Sequence, residues 1–204
     1  MVRTADEVRK AHVAEFVAGQ KRRGLKPATI RRYLASLSSL FAFAERSGWL
    51  AQNPMARFDK KALPEAQPRT RFLSQDEYRR LLAASGPVLK PLIEMAVATG
   101  MRLEELLGLK WDQVDLERRE VRLVVTKSKQ ARVVPLSPRA VAILVAAGRT
   151  AQGNPYVFTN PATGSRYKTI KRAFRTACRR AGVQDIRFHD LRHTFCFMGC
   201  SIRC

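Results

Sequence analysis

An apolar segment followed at once by a short charged segment limits the folds open to this chain. The apolar run 93–98 leads into Thr99-Gly100, a polar pair typical of a helix start. Leucines then recur at helical spacing, at positions 103, 106 and 107. We therefore predict that Arg102 lies in the first turn of a short helix, at the edge of a buried layer.

Arg102 and Glu105 are three residues apart and would share one face of that helix. An arginine held by its surroundings presents a planar, permanently charged fork to a phosphate, and Glu105 would brace it. The alternative is a surface ion pair, since pairs at this spacing are common and weak.

A strong positive charge indicates the kind of partner. The 204 residues contain 38 Lys and Arg against 17 Asp and Glu, which gives a formal net charge of +21. Because arginines are spread along the whole chain, the balance favours a polyanion, most simply nucleic acid. A basic amphipathic membrane binder is the competing interpretation, but no single basic helix carries the charge.

The sequence has no run of about twenty apolar residues, which a membrane-spanning helix requires, and no signal-peptide pattern. We therefore expect no membrane partner and a cytoplasmic location. A metal site built from His193 and the cysteines at 196, 200 and 204 is disfavoured, because the spacing lacks a paired C-x2-C motif.

The chain divides into two domains by composition. We predict a helical domain over 1–57, with helices over 5–20 and from Pro27 onward. Pro64 and Pro68 lie in a charged stretch with little apolar periodicity, which indicates a linker over 58–71. The remainder is assigned to a second domain, 72–195, and a cysteine-rich tail, 196–204.

Local signals predict the elements of the second domain. Ser74 and Glu77 fit a capping box at a helix start. The β-rich segments 121–125 and 131–136 predict a hairpin with lysines at its tip. Further helices are predicted over 87–99, from Ser137-Pro138 through Ala146, and over 169–180.

Two basic clusters are candidate phosphate contacts. One surrounds the junction of the first two predicted helices and would contact a DNA backbone. The alternative interpretation is that these residues form only a solvated helix face. In the other, His189 and Arg192 would lie one helical turn apart and could donate to oxygens of one phosphate, unless they mark only a capped helix start. The first cluster comprises Lys21, Arg22, Arg23, Lys26, Arg31 and Arg32.

Taken together, these motifs resemble the tyrosine recombinase family, also called phage integrases, over residues 4–195. The segment 26–30 and Asn53-Pro54 are similar to its helical core-binding domain, and the segments 98–106, 126–136 and 189–193 to its catalytic domain. The resemblance implies a mainly α fold with a small antiparallel β-sheet. A helical, SAM-like core-binding domain would be followed by an α+β catalytic domain.

The resemblance also assigns roles. Arg102 and Arg192 would clamp the non-bridging oxygens of a phosphodiester attacked by a tyrosine, which leaves a 3′-phosphotyrosine. Lys127, with Lys129 as the substitute, would protonate the 5′-oxygen, and His189 would assist proton transfer at the nucleophile. Glu105 is the acidic companion of Arg102. No metal or other cofactor is implied, and further DNA contacts are expected at Thr29, Lys129 and Arg132.

After Phe195 the resemblance fails. The family continues into a Gly-His or Gly-Trp motif and the nucleophilic tyrosine, whereas here a cysteine-rich stretch follows. We expect a truncated catalytic domain that cannot cleave DNA alone. The tyrosines present, at 33, 78, 156 and 167, do not match the nucleophile's position.

Several functions therefore stay open. The first is a site-specific recombinase that binds duplex DNA, and the family would pair it with other protomers as a tetramer. A DNA-binding remnant that modulates an intact integrase is the main alternative. A type IB topoisomerase-like enzyme would also need the tyrosine, and a basic module that does not bind DNA would lack steep salt dependence on duplex.

Overall fold

A computed structural model describes residues 4–56, 58, 63, 70–123, 131–149 and 153–201, the last four through their backbone alone. The chain divides into two compact units, residues 1–69 and residues 70–204. The observed architecture is mainly helical with one three-stranded antiparallel sheet, as predicted.

The first unit is built on two helices, α1 (Lys10–Arg22) and α2 (Pro27–Arg46). The single helix predicted over 5–20 is wrong at its start. A 3-10 turn, Ala5–Glu7, comes first, and the extended backbone of Val8 and Arg9 separates it from α1. The unit's core consists mainly of Val13, Val17, Ile30, Leu34 and Phe41.

Two described residues of the predicted linker pack on this first unit. Leu63 is buried in its core, and Phe58 lies partly buried against it. The rest of the interval 59–69 lies outside the described residues.

The second unit is organised around α4 (Leu89–Thr99), which is buried along nearly its whole length. Helices α6 (Pro138–Gly148) and α8 (Leu191–Ser201) pack on α4. Since α4 is apolar on almost all sides, it can be stable only inside a core of this kind.

The entry into the second unit is fixed by polar contacts at α3 (Gln75–Ala83). The predicted capping box is confirmed: the Ser74 hydroxyl accepts from the Glu77 N–H at 3.1 Å, and the Ser74 N–H donates to Glu77 Oε2 at 2.9 Å. Hydrogen bonds from Arg71 hold the pKa of Glu77 at about 2. The Leu73 N–H donates to the buried hydroxyl of Thr194 at 3.0 Å, which ties this entry to α8.

The sheet has the order β1-β2-β3, with strands β1 (Val114–Asp115), β2 (Glu120–Leu123) and β3 (Arg132–Pro135). Val121 pairs with Val134, and Leu123 pairs with Arg132. The described strands form the predicted hairpin. Its predicted tip, with Lys127 and Lys129, lies outside the described residues.

The remaining helices are α5 (Leu103–Leu107) and α7 (Lys171–Arg180). Helix α8 continues past Phe195, so residues 196–201 of the predicted tail prolong a helix of the second unit. Among the helices of the described residues, none is both long and apolar enough to cross a membrane.

Candidate active site

Arg102 lies at the junction of α4 and α5. Gly100 ends α4 in the left-handed region, with φ of +62°, and its N–H donates to the Ala96 carbonyl at 2.9 Å. The prediction that Thr99-Gly100 begins the next helix is therefore wrong, because Thr99 is the last residue of α4. Arg102 has extended backbone and is the N-cap of α5, so it precedes the first turn instead of lying in it.

Glu105 binds two arginines at once. Its Oε1 accepts from Arg102 Nη1 at 2.9 Å, and its Oε2 accepts from the Arg102 N–H at 2.7 Å and from Arg132 Nη2 at 2.6 Å. Burial acts to raise the pKa of the Glu105 carboxyl, but the hydrogen bonds from Arg102 and the charge of Arg132 outweigh it and lower that pKa. The carboxylate is thus ionised and fully engaged.

Arg192 joins the same cluster from the first turn of α8. Its Nη1 donates to the Gly100 carbonyl, and the side chain is half-buried. Burial, followed by the positive charges of Arg102 and Arg132, lowers the pKa of Arg192, and Glu105 opposes this shift. Three guanidiniums from separate elements therefore lie within electrostatic reach of one carboxylate.

His189 lies in a 3-10 turn, Phe188–Asp190, directly before α8. The turn is closed by Asp190, whose Oδ2 accepts from the Arg187 N–H at 2.8 Å. The exposed His189 ring lies 6.4 Å from the His193 ring, centroid to centroid. His189 also lines a groove of about 840 Å³ together with Leu103, the residue after Arg102.

The structure thus brings Arg102, Glu105 and Arg192 together, and His189 lines the same groove as Leu103. It also places Arg132, predicted only as a DNA contact, on the Glu105 carboxylate. Its Nε is buried and has no hydrogen-bond partner among the described atoms. No periodicity links positions 105 and 132, so sequence reasoning missed this contact. Lys127 and Lys129 lie outside the described residues.

The basic residues of the first unit lie around the end of α1 and the start of α2. Arg23 is the C-cap of α1, and Lys26 is the N-cap of α2. Thr29 and Arg31 are half-buried, and the other members are exposed, namely Lys21, Arg22, Arg23, Lys26 and Arg32. This end of the helix pair is therefore a strongly positive surface.

The contacts of the four tyrosines are with groups outside the arginine cluster at Glu105. Burial and the charge of Glu94 raise the pKa of Tyr78 to about 12, and Tyr167 lines a groove with Glu94. Lys110 Nζ lies 5.8 Å from the centroid of the Tyr156 ring. Tyr33 belongs to the first unit, where it packs edge-on against Phe16.

Replacing Gly100 with alanine should destabilise the second unit and disturb the anchor of Arg192. A Cβ at this position would lie 2.7 Å from Phe195 Cδ1, in a backbone conformation that L-residues avoid. We expect a loss of about 1–2 kcal/mol for the left-handed φ, and about 1 kcal/mol more for the overlap. Denaturant unfolding measures both.

Alanine substitutions at two other glycines separate the backbone cost from the cost of the overlap. Gly153 has φ of +77° with open space around it, so Gly153→Ala reports the backbone cost alone. Gly86 has open space and no positive φ, so Gly86→Ala should be nearly neutral. Equal losses for Gly100→Ala and Gly153→Ala would show that the Phe195 ring moves aside without cost.

Comparison with known proteins identifies the family of this chain. The model of the phage integrase family matches residues 71–198, and that of the phage integrase N-terminal SAM-like domain matches residues 2–48. The shufflon-specific DNA recombinase of Escherichia coli is 33% identical over 202 residues, which cover 94% of this chain and 50% of that protein. The tyrosine recombinase XerC of Xanthomonas axonopodis pv. citri is 31% identical over 194 residues, covering 91% and 63%. The chain therefore spans half to two thirds of the length of these relatives.

Solved structures show the same fold. The Tn1549 transposon integrase in complex with circular intermediate DNA aligns with a TM-score of 0.78 at 18% identity, over 98% of this chain and 75% of that one. A lambda integrase dimer bound to a COC′ core site aligns with a TM-score of 0.75 at 21% identity, over 94% and 71%. The predicted fold class and family resemblance are confirmed. The phage integrase model matches more than half of the residues of this chain, so the chain belongs to the phage integrase family of tyrosine recombinases.

Proposed function

We propose that this chain binds duplex DNA in site-specific recombination, with Arg102 and Arg192 gripping one backbone phosphate. The observation that carries the proposal is the assembly of three guanidiniums around the single carboxylate of Glu105. Arginines so close repel one another, and the one acid leaves a net charge of about +2. A bound phosphate would relieve this repulsion, and planar guanidinium forks suit its oxygens.

The same groups suit the chemistry of strand exchange. The transition state for attack on a phosphodiester carries extra negative charge on its non-bridging oxygens. Arg102 and Arg192 would stabilise that charge as preorganised donors, the role that a metal ion fills in other phosphoryl-transfer enzymes. His189, one turn before Arg192, would handle the nucleophile's proton, and Lys127 that of the 5′-oxygen leaving group.

We propose further that none of the four tyrosines in residues 1–204 is the nucleophile. Tyr78 has a pKa of about 12 and lies beside a buried acid, which opposes ionisation. Tyr33 packs edge-on against Phe16 within the first unit. These placements favour a polypeptide that binds DNA without cleaving it alone, as a remnant or a modulator of an intact integrase. Further recombinase protomers are the partners we propose.

The phosphate assignment is tested by the salt dependence of duplex binding. Each phosphate contact adds about −0.9 to the slope of log K against log salt concentration. We expect Arg102→Ala and Arg192→Ala each to make that slope shallower by about 0.9, in fluorescence anisotropy titrations.

Arg118→Ala is the matched control, because Arg118 is an exposed arginine of the same unit that pairs with Asp115. It should leave the slope nearly unchanged. If Arg102→Ala and Arg192→Ala behave like Arg118→Ala, the cluster does not bind a DNA phosphate.

Covalent trapping tests the assignment of the tyrosines. Residues 1–204, purified and incubated with a nicked suicide duplex, should yield no protein–DNA adduct on a denaturing gel. A full-length integrase acting on its own site serves as the positive control. An adduct that disappears in one Tyr→Phe variant would identify that tyrosine as a nucleophile and refute the proposal.

A further inference from the structure

Arg132 shares the Glu105 carboxylate with Arg102, but its side chain is less exposed than that of Arg102. We propose that Arg132 is a positioning residue of the phosphate site. It would hold one oxygen of Glu105 so that the other stays on the guanidinium of Arg102. The inference rests on the proposed function, because it takes Arg102 to be a phosphate-binding group.

The hydrogen bonds divide the carboxylate between two elements. Glu105 Oε1 accepts from the Arg102 side chain at 2.9 Å, and Oε2 accepts from the Arg132 side chain at 2.6 Å. The Glu105 side chain is 17% exposed, so little water competes for these bonds. A carboxylate bound from both sides cannot rotate without breaking one of them, which fixes where Arg102 points.

Exposure separates the roles of the two arginines. The Arg102 side chain is 56% exposed, whereas that of Arg132 is 36% exposed and its Nε is buried. An incoming phosphate therefore meets Arg102 more readily than Arg132. Arg132 starts β3, whereas Arg102 caps α5, so the shared carboxylate ties the sheet to the helix that presents Arg102.

The other way in which Glu105 could pair with Arg102 gives a second reason to assign Arg132 a positioning role. While Arg132 holds Oε2, Glu105 cannot turn both oxygens toward the side chain of Arg102. Without Arg132 only the Arg102 N–H would hold Oε2, and the carboxylate could turn to take the Arg102 side chain in a bidentate pair, the arrangement that carboxylates and guanidiniums favour. Arg102 would then bind its neighbour more strongly and a phosphate less strongly.

A double-mutant cycle on duplex binding tests this coupling, using Arg132→Ala, Glu105→Gln and the double variant. We expect Arg132→Ala to weaken binding by roughly 3- to 30-fold in the native background. In the Glu105→Gln background the same substitution should change affinity by less than about twofold, because glutamine has one acceptor oxygen and its NH2 group cannot accept from the second arginine, so the bridge through which Arg132 acts is already broken. Arg132→Lys keeps the charge and one donor and should recover part of the loss.

Equal losses in both backgrounds, with a slope shallower by about 0.9 in each, would show that Arg132 contacts a phosphate itself and would overturn the inference. The pKa of the Glu105 carboxyl, followed by NMR, gives an independent readout. It should rise in Arg132→Ala, because the charge and hydrogen bond of Arg132 lower it now. An unchanged pKa would also overturn the inference.

Two further comparisons distinguish a failure of this inference from a failure of the proposed function. If Arg132→Ala does not fold, Arg132→Gln takes its place in the cycle, and equal losses in both backgrounds again overturn the inference. If Arg102→Ala leaves the salt slope unchanged, the proposed function itself fails. A shallower slope for Arg102→Ala, combined with an additive cycle, refutes the role of Arg132 alone.

Discussion

Raising the salt concentration from about 50 to 200 mM should weaken duplex binding by this chain about a thousandfold. The net charge of +21, the positive surface of the first unit and the arginine cluster at Glu105 together allow at least six phosphate contacts. Six contacts give a slope of about −5.4, so a fourfold rise in salt removes about three decades of affinity. Anisotropy titrations over several salt concentrations measure the slope directly.

The first unit supplies an internal control for this expectation. Lys21, Arg22 and Arg23 are exposed at the end of α1. Replacing all three with glutamine should make the slope shallower by up to about 2.7, at about 0.9 for each lost contact. A wild-type slope shallower than about −2 would contradict the proposal, because it would mean that most of the basic surface does not face DNA.

Leu106→Ala should destabilise the second unit by about 2–5 kcal/mol, the usual range for a buried leucine. Leu106 is fully buried, on the five-residue helix that presents Arg102 and Glu105. A helix of this length is not stable through its own hydrogen bonds, and side-chain packing must therefore stabilise it. Denaturant unfolding followed by circular dichroism measures the loss.

Leu116→Ala is the matched control for this chemical change. Leu116 is 38% exposed in the turn between β1 and β2, so less surface returns to water. We expect a loss under about 1 kcal/mol there. Similar losses for the two variants would contradict the view that packing at Leu106 anchors α5.

Elements with strong local signals were predicted correctly from the sequence. The Ser74–Glu77 capping box, the start of α2 at Pro27 and the hairpin strands each follow from residues a few positions apart. Errors arose at the boundaries of helices. Thr99-Gly100 fits a helix start, yet Gly100 has the left-handed φ that ends α4, and an extended Val8-Arg9 interrupts the predicted first helix.

The motifs around Arg102 and His189, and the family they resemble, could be recognised from the sequence alone, because each is a contiguous run of residues. Only the tertiary structure decided that Arg132 shares the Glu105 carboxylate and that Arg192 donates to the carbonyl of Gly100. Such contacts join residues distant in the chain, and they form because α4, α8 and the sheet are packed on one core. Local spacing carries no information about which distant side chains that packing brings together.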